Sequence, residues 1–148
     1  MRSLLCLLNG VLYCLTNKST LYALDVANGA IKWQQSLDGT TGSAVAIDRN
    51  GHIYAGTSEA IYAFSANKEE LWKLSGVNVT EQGTFALNGN TLYATLKSKA
   101  GLVAVDITNG TKKWTYPTTG GDAYFPIVDK KGVVYFTEKG SQTVYAVD

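Results

Sequence analysis

The sequence predicts an all-β fold: a β-propeller segment of four-stranded antiparallel blades, three of them complete and a fourth lacking its outer strand. Three observations predict it. The phrases "LYAL", "IYAF", "LVAV" and "VYAV" recur around Tyr22, Tyr62, Val103 and Tyr145, at spacings of 40, 41 and 42 residues. A second phrase ends at Tyr13, Tyr54, Tyr93 and Tyr135, at spacings of 41, 39 and 42. Between them lie short apolar runs rich in Val, Ile, Tyr and Thr, punctuated by Gly, Asn and Asp, which favours strands over helices. A unit of four such runs returning about every forty residues is the sequence form of a propeller blade.

The elements follow in order within one domain, 1–148, with blades at about 3–37, 43–75, 83–116 and 123–148. Each unit opens on a first strand, "SLLCLL", "SAVAID", "TFALNG" or "YFPIVD". Asn9-Gly10 and Asn88-Gly89 then predict tight hairpins, because Asn-Gly takes positive φ angles readily. The second and third strands are apolar on both faces, so each sheet should be covered on both sides by neighbours. An antiparallel sandwich would instead alternate apolar with polar residues. Trp33, Trp72 and Trp114 mark the fourth strands. The segment "ANKEELWKL", Ala66 to Leu74, has helix-like composition, but the repeat register makes it a turn and an outer strand. The closing "TVYAVD" is the third strand of a fourth blade, ending at Asp148.

Composition narrows the function classes. The chain has 148 residues, 45% of them hydrophobic and 17% charged, so it should fold. A net charge of +1 gives no electrostatic case for nucleic acid or an anionic membrane. No run approaches the ~18 apolar residues of a membrane-spanning helix. "MRSLLCLLNG" places Arg2 ahead of a Leu run, but Leu4 to Leu8 is shorter than a signal-peptide core and the repeat explains it as a strand. The repeat alignment puts Cys6 in the column of Ile47, Ala86 and Val128, and Cys14 in that of Ala55, Ala94 and Phe136. Both read as small apolar core residues on opposite faces of one hairpin, which argues against a disulfide.

The segments "ALDVANGAIKW", Ala23 to Trp33, and "AVDITNGTKKW", Ala104 to Trp114, share Ala-x-Asp-x-x-Asn-Gly-x-x-x-Trp. Asp25 and Asp106 can cap the turn through backbone N–H groups. Gly29 and Gly110 can take a positive φ. Each Trp can bury its indole between blades with its N–H on a backbone carbonyl. Full burial of an indole would contribute at most about 4–6 kcal/mol. The second unit departs from the pattern: "AFSANKEELW" keeps Ala63 and Trp72, has Ser65 for the Asp, lacks the Gly and is one residue shorter. Asn67 is expected in its left-handed position. Ala146 and Asp148 open the same motif in the fourth unit.

This pattern resembles the tryptophan-docking motif of pyrroloquinoline-quinone-type (quinoprotein-like) propellers. That family includes eight-bladed quinoprotein dehydrogenases and non-enzymatic relatives such as the outer-membrane assembly lipoprotein. The enzymatic branch implies a bound pyrroloquinoline quinone with Ca²⁺, acidic and amide ligands and often a vicinal Cys pair. Here no two cysteines are adjacent, and no phosphate loop, metal-ligand spacing or nucleophile elbow appears. The reading is therefore a non-enzymatic protein- or ligand-binding or scaffolding module with no cofactor. The alternatives are a fragment of a quinone-dependent dehydrogenase, or an assembly half-ring with no ligand of its own. The resemblance implies a periplasmic or extracellular bacterial setting, while the chain shows no convincing signal peptide.

His52, the single His, reads as a strand-edge residue, and Asp48 and Asp129 as hairpin residues. Propeller geometry gathers the outer-to-inner loops at one mouth of the channel. Those loops offer Asp38, Thr41, Asn78, Glu81, Thr119, Asp122 and Tyr124 as a rim for a protein or glycan ligand. Loops between second and third strands share that face and add Lys18, Glu59, Lys97, Lys99 and Lys139. Open apolar blade faces and the bare edge of Gln142 to Asp148 predict self-association, with two copies closing an eight-bladed ring about a two-fold axis.

Overall fold

A computed structural model describes residues 5–40, 42–81 and 83–148. It contains fifteen antiparallel strands and, among the described residues, no helix. The first blade is β1 (Leu5–Leu8), β2 (Val11–Leu15), β3 (Thr20–Asp25) and β4 (Ile31–Ser36). The second is β5 (Gly42–Ile47), β6 (Ile53–Thr57), β7 (Ala60–Phe64) and β8 (Glu70–Ser75). The third is β9 (Phe85–Asn88), β10 (Thr91–Leu96), β11 (Gly101–Asp106) and β12 (Lys112–Tyr116). The fourth has three strands, β13 (Ala123–Val128), β14 (Val134–Glu138) and β15 (Val144–Val147). Strand order within every sheet is sequence order, and the first strands of successive blades are neighbours, as in a propeller. Among the described residues, no helix is long and apolar enough to cross a membrane.

The core lies between blades. One apolar cluster joins Tyr13, Leu15 and Leu21 of the first blade to Ile53, Ala55, Tyr62 and Phe64 of the second. A second joins Tyr54, Ile61 and Ala63 to Val79, Leu92, Ala94, Val103 and Val105. A third joins Tyr93, Leu102 and Ala104 to Val134 and Phe136. Covered on both sides, β6 and β7 are buried at every residue. The outer strands β4, β8 and β12 are mostly exposed. Local helix-like composition at Ala66 to Leu74 is overridden by pairing of β8 with β7.

The hairpins correct one column of the repeat. In the first and third blades, two residues separate the first strand from the second, and Cys6 and Ala86 stand opposite Tyr13 and Tyr93. In the second and fourth, five residues intervene, and Ala46 and Ile127 stand opposite Tyr54 and Tyr135. Cys6 therefore aligns with Ala46, Ala86 and Ile127, while Ile47 and Val128 face the other way, because one residue of slip turns a side chain to the opposite face. Cys6 and Cys14 do point to opposite faces, both as free, half-buried thiols. The Cys6 thiol donates to Val45 O at 3.3 Å, and burial raises the pKa of both cysteines.

A further regularity had no signal in the sequence. Each outer strand carries a β-bulge one residue before its Trp: Ala23 pairs with Trp33 but Leu24 with Ile31, and the same slip occurs at Ala63/Phe64 and Ala104/Val105. The extra residues are Lys32, Leu71 and Lys113. The bulge resets the register beyond the Trp–Ala pair, bringing Ile31, Glu70 and Lys112 opposite Leu24, Phe64 and Val105.

Candidate functional site

The docking turns join the blades on one side of the molecule. Asp25 N–H donates to Ala30 O at 2.8 Å, and Gly29 N–H donates back to Asp25 O at 2.7 Å, with Gly29 at φ 72°. The Ala27 amide donates to the Asp25 carboxylate at 2.9 Å, and Lys32 stands 3.4 Å away; the amide first and the lysine second hold that carboxylate below its ordinary pKa. Asp106 repeats the arrangement with the Thr108 hydroxyl (2.6 Å), the Thr108 amide (2.9 Å) and Lys113 (3.5 Å). Ala23, Ala63 and Ala104 are fully buried, each paired with its Trp. Trp33 Nε1 donates to Ala66 O of the next blade at 3.0 Å, and Trp72 Nε1 to Ile107 O at 2.8 Å. Trp114 lies over Tyr93 of its own blade at a centroid distance of 5.8 Å. All three indoles are half-buried, not fully buried, because the outer strand leaves one ring edge to solvent. Ala146 and Asp148 are exposed.

In the second blade, Ser65 Oγ accepts from Asn67 N at 3.3 Å and Glu69 N at 3.2 Å, so a hydroxyl does the work of the missing carboxylate. The left-handed residue is Lys68, φ 73°, and not Asn67. The positive φ belongs to the last turn residue before the chain re-enters the sheet. Deleting one residue moves that place to Lys68, and Asn67 keeps an ordinary backbone.

The opposite side carries the loops that the sequence offers as a rim. Asp38 N–H donates to Tyr62 OH at 2.9 Å, and the Asp38 carboxylate meets Lys73 Nζ at 2.5 Å. The Lys73 hydrogen bond, then its charge, lowers the Asp38 pKa. Asp38 and Asn78 line a cavity of about 270 Å³ with Ser58, Glu59 and Lys73. Glu81, Asp122 and Tyr124 meet in a second cavity of about 230 Å³, completed by Thr80, Lys97 and Lys139. There Lys97 pairs with Glu81 at 2.6 Å, and Asp122 accepts from Ser98 N–H at 2.8 Å and Tyr124 OH at 3.4 Å. Burial, then the Asp122 charge, raises the Tyr124 pKa. Thr41 lies outside the described residues.

Thr119 leads to a residue that sequence reasoning missed. Glu138 is 4% exposed. It accepts from Tyr145 OH at 2.6 Å, Gly121 N–H at 2.6 Å, Thr119 Oγ1 at 3.4 Å and Gly120 N–H. The Tyr145 hydroxyl, then the two glycine amides, hold its pKa below the usual range against burial, which raises it. The signal was the Gly120-Gly121 pair one loop ahead of an acid in the column of Thr16, Thr57 and Leu96.

On the docking side, Asp48 closes its hairpin through Asn50 N–H (2.8 Å) and His52 N–H (2.9 Å). Its other oxygen accepts from the buried Tyr54 OH at 2.9 Å and stands 3.1 Å from His52 Nδ1. Burial raises the Asp48 pKa, but these donors outweigh it and the net shift is downward; burial and the acid together push the Tyr54 phenol well up. Asp129 closes the matching hairpin through Lys131 and Val133 N–H.

The described residues do not fit a quinone with Ca²⁺. Among them no three His, Cys, Asp or Glu side chains converge. The rim acids Asp38 and Glu81 are neutralised by lysines, Glu138 is held by backbone amides and a phenol, and the two thiols face apart.

Known structures share the fold. The computationally designed Ika4 protein superposes with a TM-score of 0.78 at 12% identity, over 97% of this chain and 89% of that one. A europium-containing methanol dehydrogenase gives 0.65 at 22% identity, over 78% of this chain and 24% of that one. A chain of a mitotic checkpoint complex gives 0.76 at 14%, over 93% of this chain and 46% of that one. No curated protein matches in sequence. The family model described as "Outer membrane protein assembly factor BamB" matches residues 6–148. With nearly its whole length so matched, the chain belongs to that family of pyrroloquinoline-quinone-like propeller repeats.

Proposed function

We propose that the chain is a non-catalytic binding and scaffolding module whose channel-mouth rim contacts a protein or glycan partner. The observation that carries this reading is the convergence of paired charges and an aromatic ring on these loops. The rim's acids are tied across loops, Asp38 to Lys73 and Glu81 to Lys97, beside the amphipathic ring of Tyr124. Fixed donors and acceptors around an aromatic suit recognition of a polar surface. The rival reading, a piece of a quinone-dependent dehydrogenase, is tested by adding pyrroloquinoline quinone and Ca²⁺ and measuring quinone absorbance after gel filtration. Free elution of the quinone is expected, and co-elution with the protein would overturn the non-catalytic reading.

A second reading concerns assembly. Val144 is 66% exposed, whereas Leu21, Ile61 and Leu102 in the same column are fully buried against the next blade. Ile127 (65%) lies on that same open face. On the first blade, Leu5 (57%) and Leu7 (65%) stand where Val45 and Ile47 of the second blade pack against the first. The two open faces therefore repeat the two sides of an internal blade interface. They fit a head-to-tail pair of copies forming eight blades. Light scattering at micromolar concentration should give twice the chain mass, and a monodisperse monomer would rule the pairing out.

A further inference from the structure

We propose that the gap between the first blade and the shortened docking turn of the second is a binding site for a small carboxylate with an aromatic body. Two blade interfaces built on the same motif differ here. Between the second and third blades, the docking turn lies on the indole of Trp72, and a Cβ at Gly110 would meet ring atoms at 2.7 Å. Between the first and second, the turn is one residue short and has no glycine. What remains is a cavity of about 500 Å³, floored by Val11, Tyr13 and Trp33 and rimmed by Lys32, Asn67 and Lys68.

Two polar groups line this cavity without a hydrogen-bond or ion-pair partner among the described residues. Tyr13 is 2% exposed, yet its hydroxyl has no hydrogen-bond partner among the described residues. Tyr54, in the same column, donates to Asp48. The first blade closes the equivalent hairpin with Asn9-Gly10 and supplies no acid there. That hydroxyl is not sealed from solvent, so an oxygen entering the cavity can accept from it in place of water. Lys68 has no ion-pair partner among the described residues, while Lys32 stands 3.4 Å from Asp25. The cavity thus offers an unmatched ammonium and an unmatched hydroxyl.

Those groups define the ligand. A carboxylate accepts from both at once, and charge-assisted bonds of this kind are the stronger ones. Trp33 and Val11 offer an apolar surface to an aromatic body. Trp33 Nε1 is already committed to Ala66 O, so the indole is held in place and contributes its ring. Uncharged analogues lose the Lys68 attraction, and cations are repelled by it.

The test uses the intact chain and 1-naphthylacetate, followed by ¹H–¹⁵N spectra. Trp33, Trp72 and Trp114 give one indole N–H signal each, so two serve as internal controls. Saturable shifts are expected at the Trp33 indole and the amides of residues 66–68, with the other two indoles unmoved. The uncharged 1-naphthylacetamide, and the exposed substitution Lys68→Glu, should each weaken binding by about tenfold or more. The proposal is overturned if Trp33 does not respond, if all three indoles shift alike, or if either the amide or the Lys68→Glu chain binds as tightly as the original pair.

Discussion

Gly110 lies flat against the indole of Trp72: a Cβ at that position would stand 2.7 Å from Cδ2 and Cε3 of the ring. Gly29 holds the same place in the motif, with nearly the same φ, and a Cβ there would meet nothing within 4 Å. The two glycines look alike in sequence and differ in what they permit. Gly29→Ala should cost only the left-handed backbone penalty, about 1 kcal/mol. Gly110→Ala adds a clash with the ring and should cost about 2–4 kcal/mol. Urea unfolding of the two variants decides it, and equal costs would refute the contact.

The tryptophans should rank in the same way. Trp72 is covered by the third blade's docking turn, whereas Trp33 borders an open cavity. Trp72→Ala should destabilise by about 3–5 kcal/mol, as large buried truncations do. Trp33→Ala should cost about half as much, because fewer atoms lose a neighbour. Thermal melts of both variants provide the comparison.

The bond from Tyr54 to Asp48 is a hydrogen bond from a buried phenol to a carboxylate. Tyr54→Phe should cost about 1.5–3 kcal/mol. Combined with Asp48→Asn, the loss should be well short of the sum of the two single losses, since both remove one contact. Strict additivity in a double-mutant cycle would show that the bond contributes nothing.

Glu138 gives the acid limb of the stability curve. Its folded pKa lies below the ordinary 4.5, held down by the Tyr145 hydroxyl and the Gly120 and Gly121 amides. The stabilisation is therefore complete above pH 4.5 and is lost as pH falls through the lower folded value. Glu138→Gln should lower the midpoint of thermal unfolding by a few degrees at neutral pH. It should also flatten the decline below pH 4.5, and an unchanged acid limb would contradict this role.

The blades were legible because a forty-residue period survives in residues whose identity the packing dictates. Ala23, Ala63 and Ala104 must be small opposite a Trp, and Tyr54 and Tyr93 must reach from one blade toward the next. The details set by chain length were not. Five-residue hairpins moved Ala46 and Ile127 into the column of Cys6, and a one-residue deletion moved the left-handed turn position from Asn67 to Lys68. Neither residue type announces such a slip. The loop residues Glu81, Asp122 and Tyr124 could be named from the repeat, yet Glu138 escaped notice because two of its partners are backbone amides, which have no letter in the sequence.

The bulges beside the tryptophans have a consequence for behaviour at high concentration. A propeller turns the free backbone edges of its outer strands toward water, and straight edges of this kind zip together between molecules. In β4 and β12 the bulged residue is a lysine, Lys32 or Lys113, and in β8 Leu71 is flanked by Glu70 and followed two places on by Lys73. Each perimeter strand is thus kinked and charged where a foreign strand would have to align. The perimeter therefore resists fibril-like stacking of edge on edge.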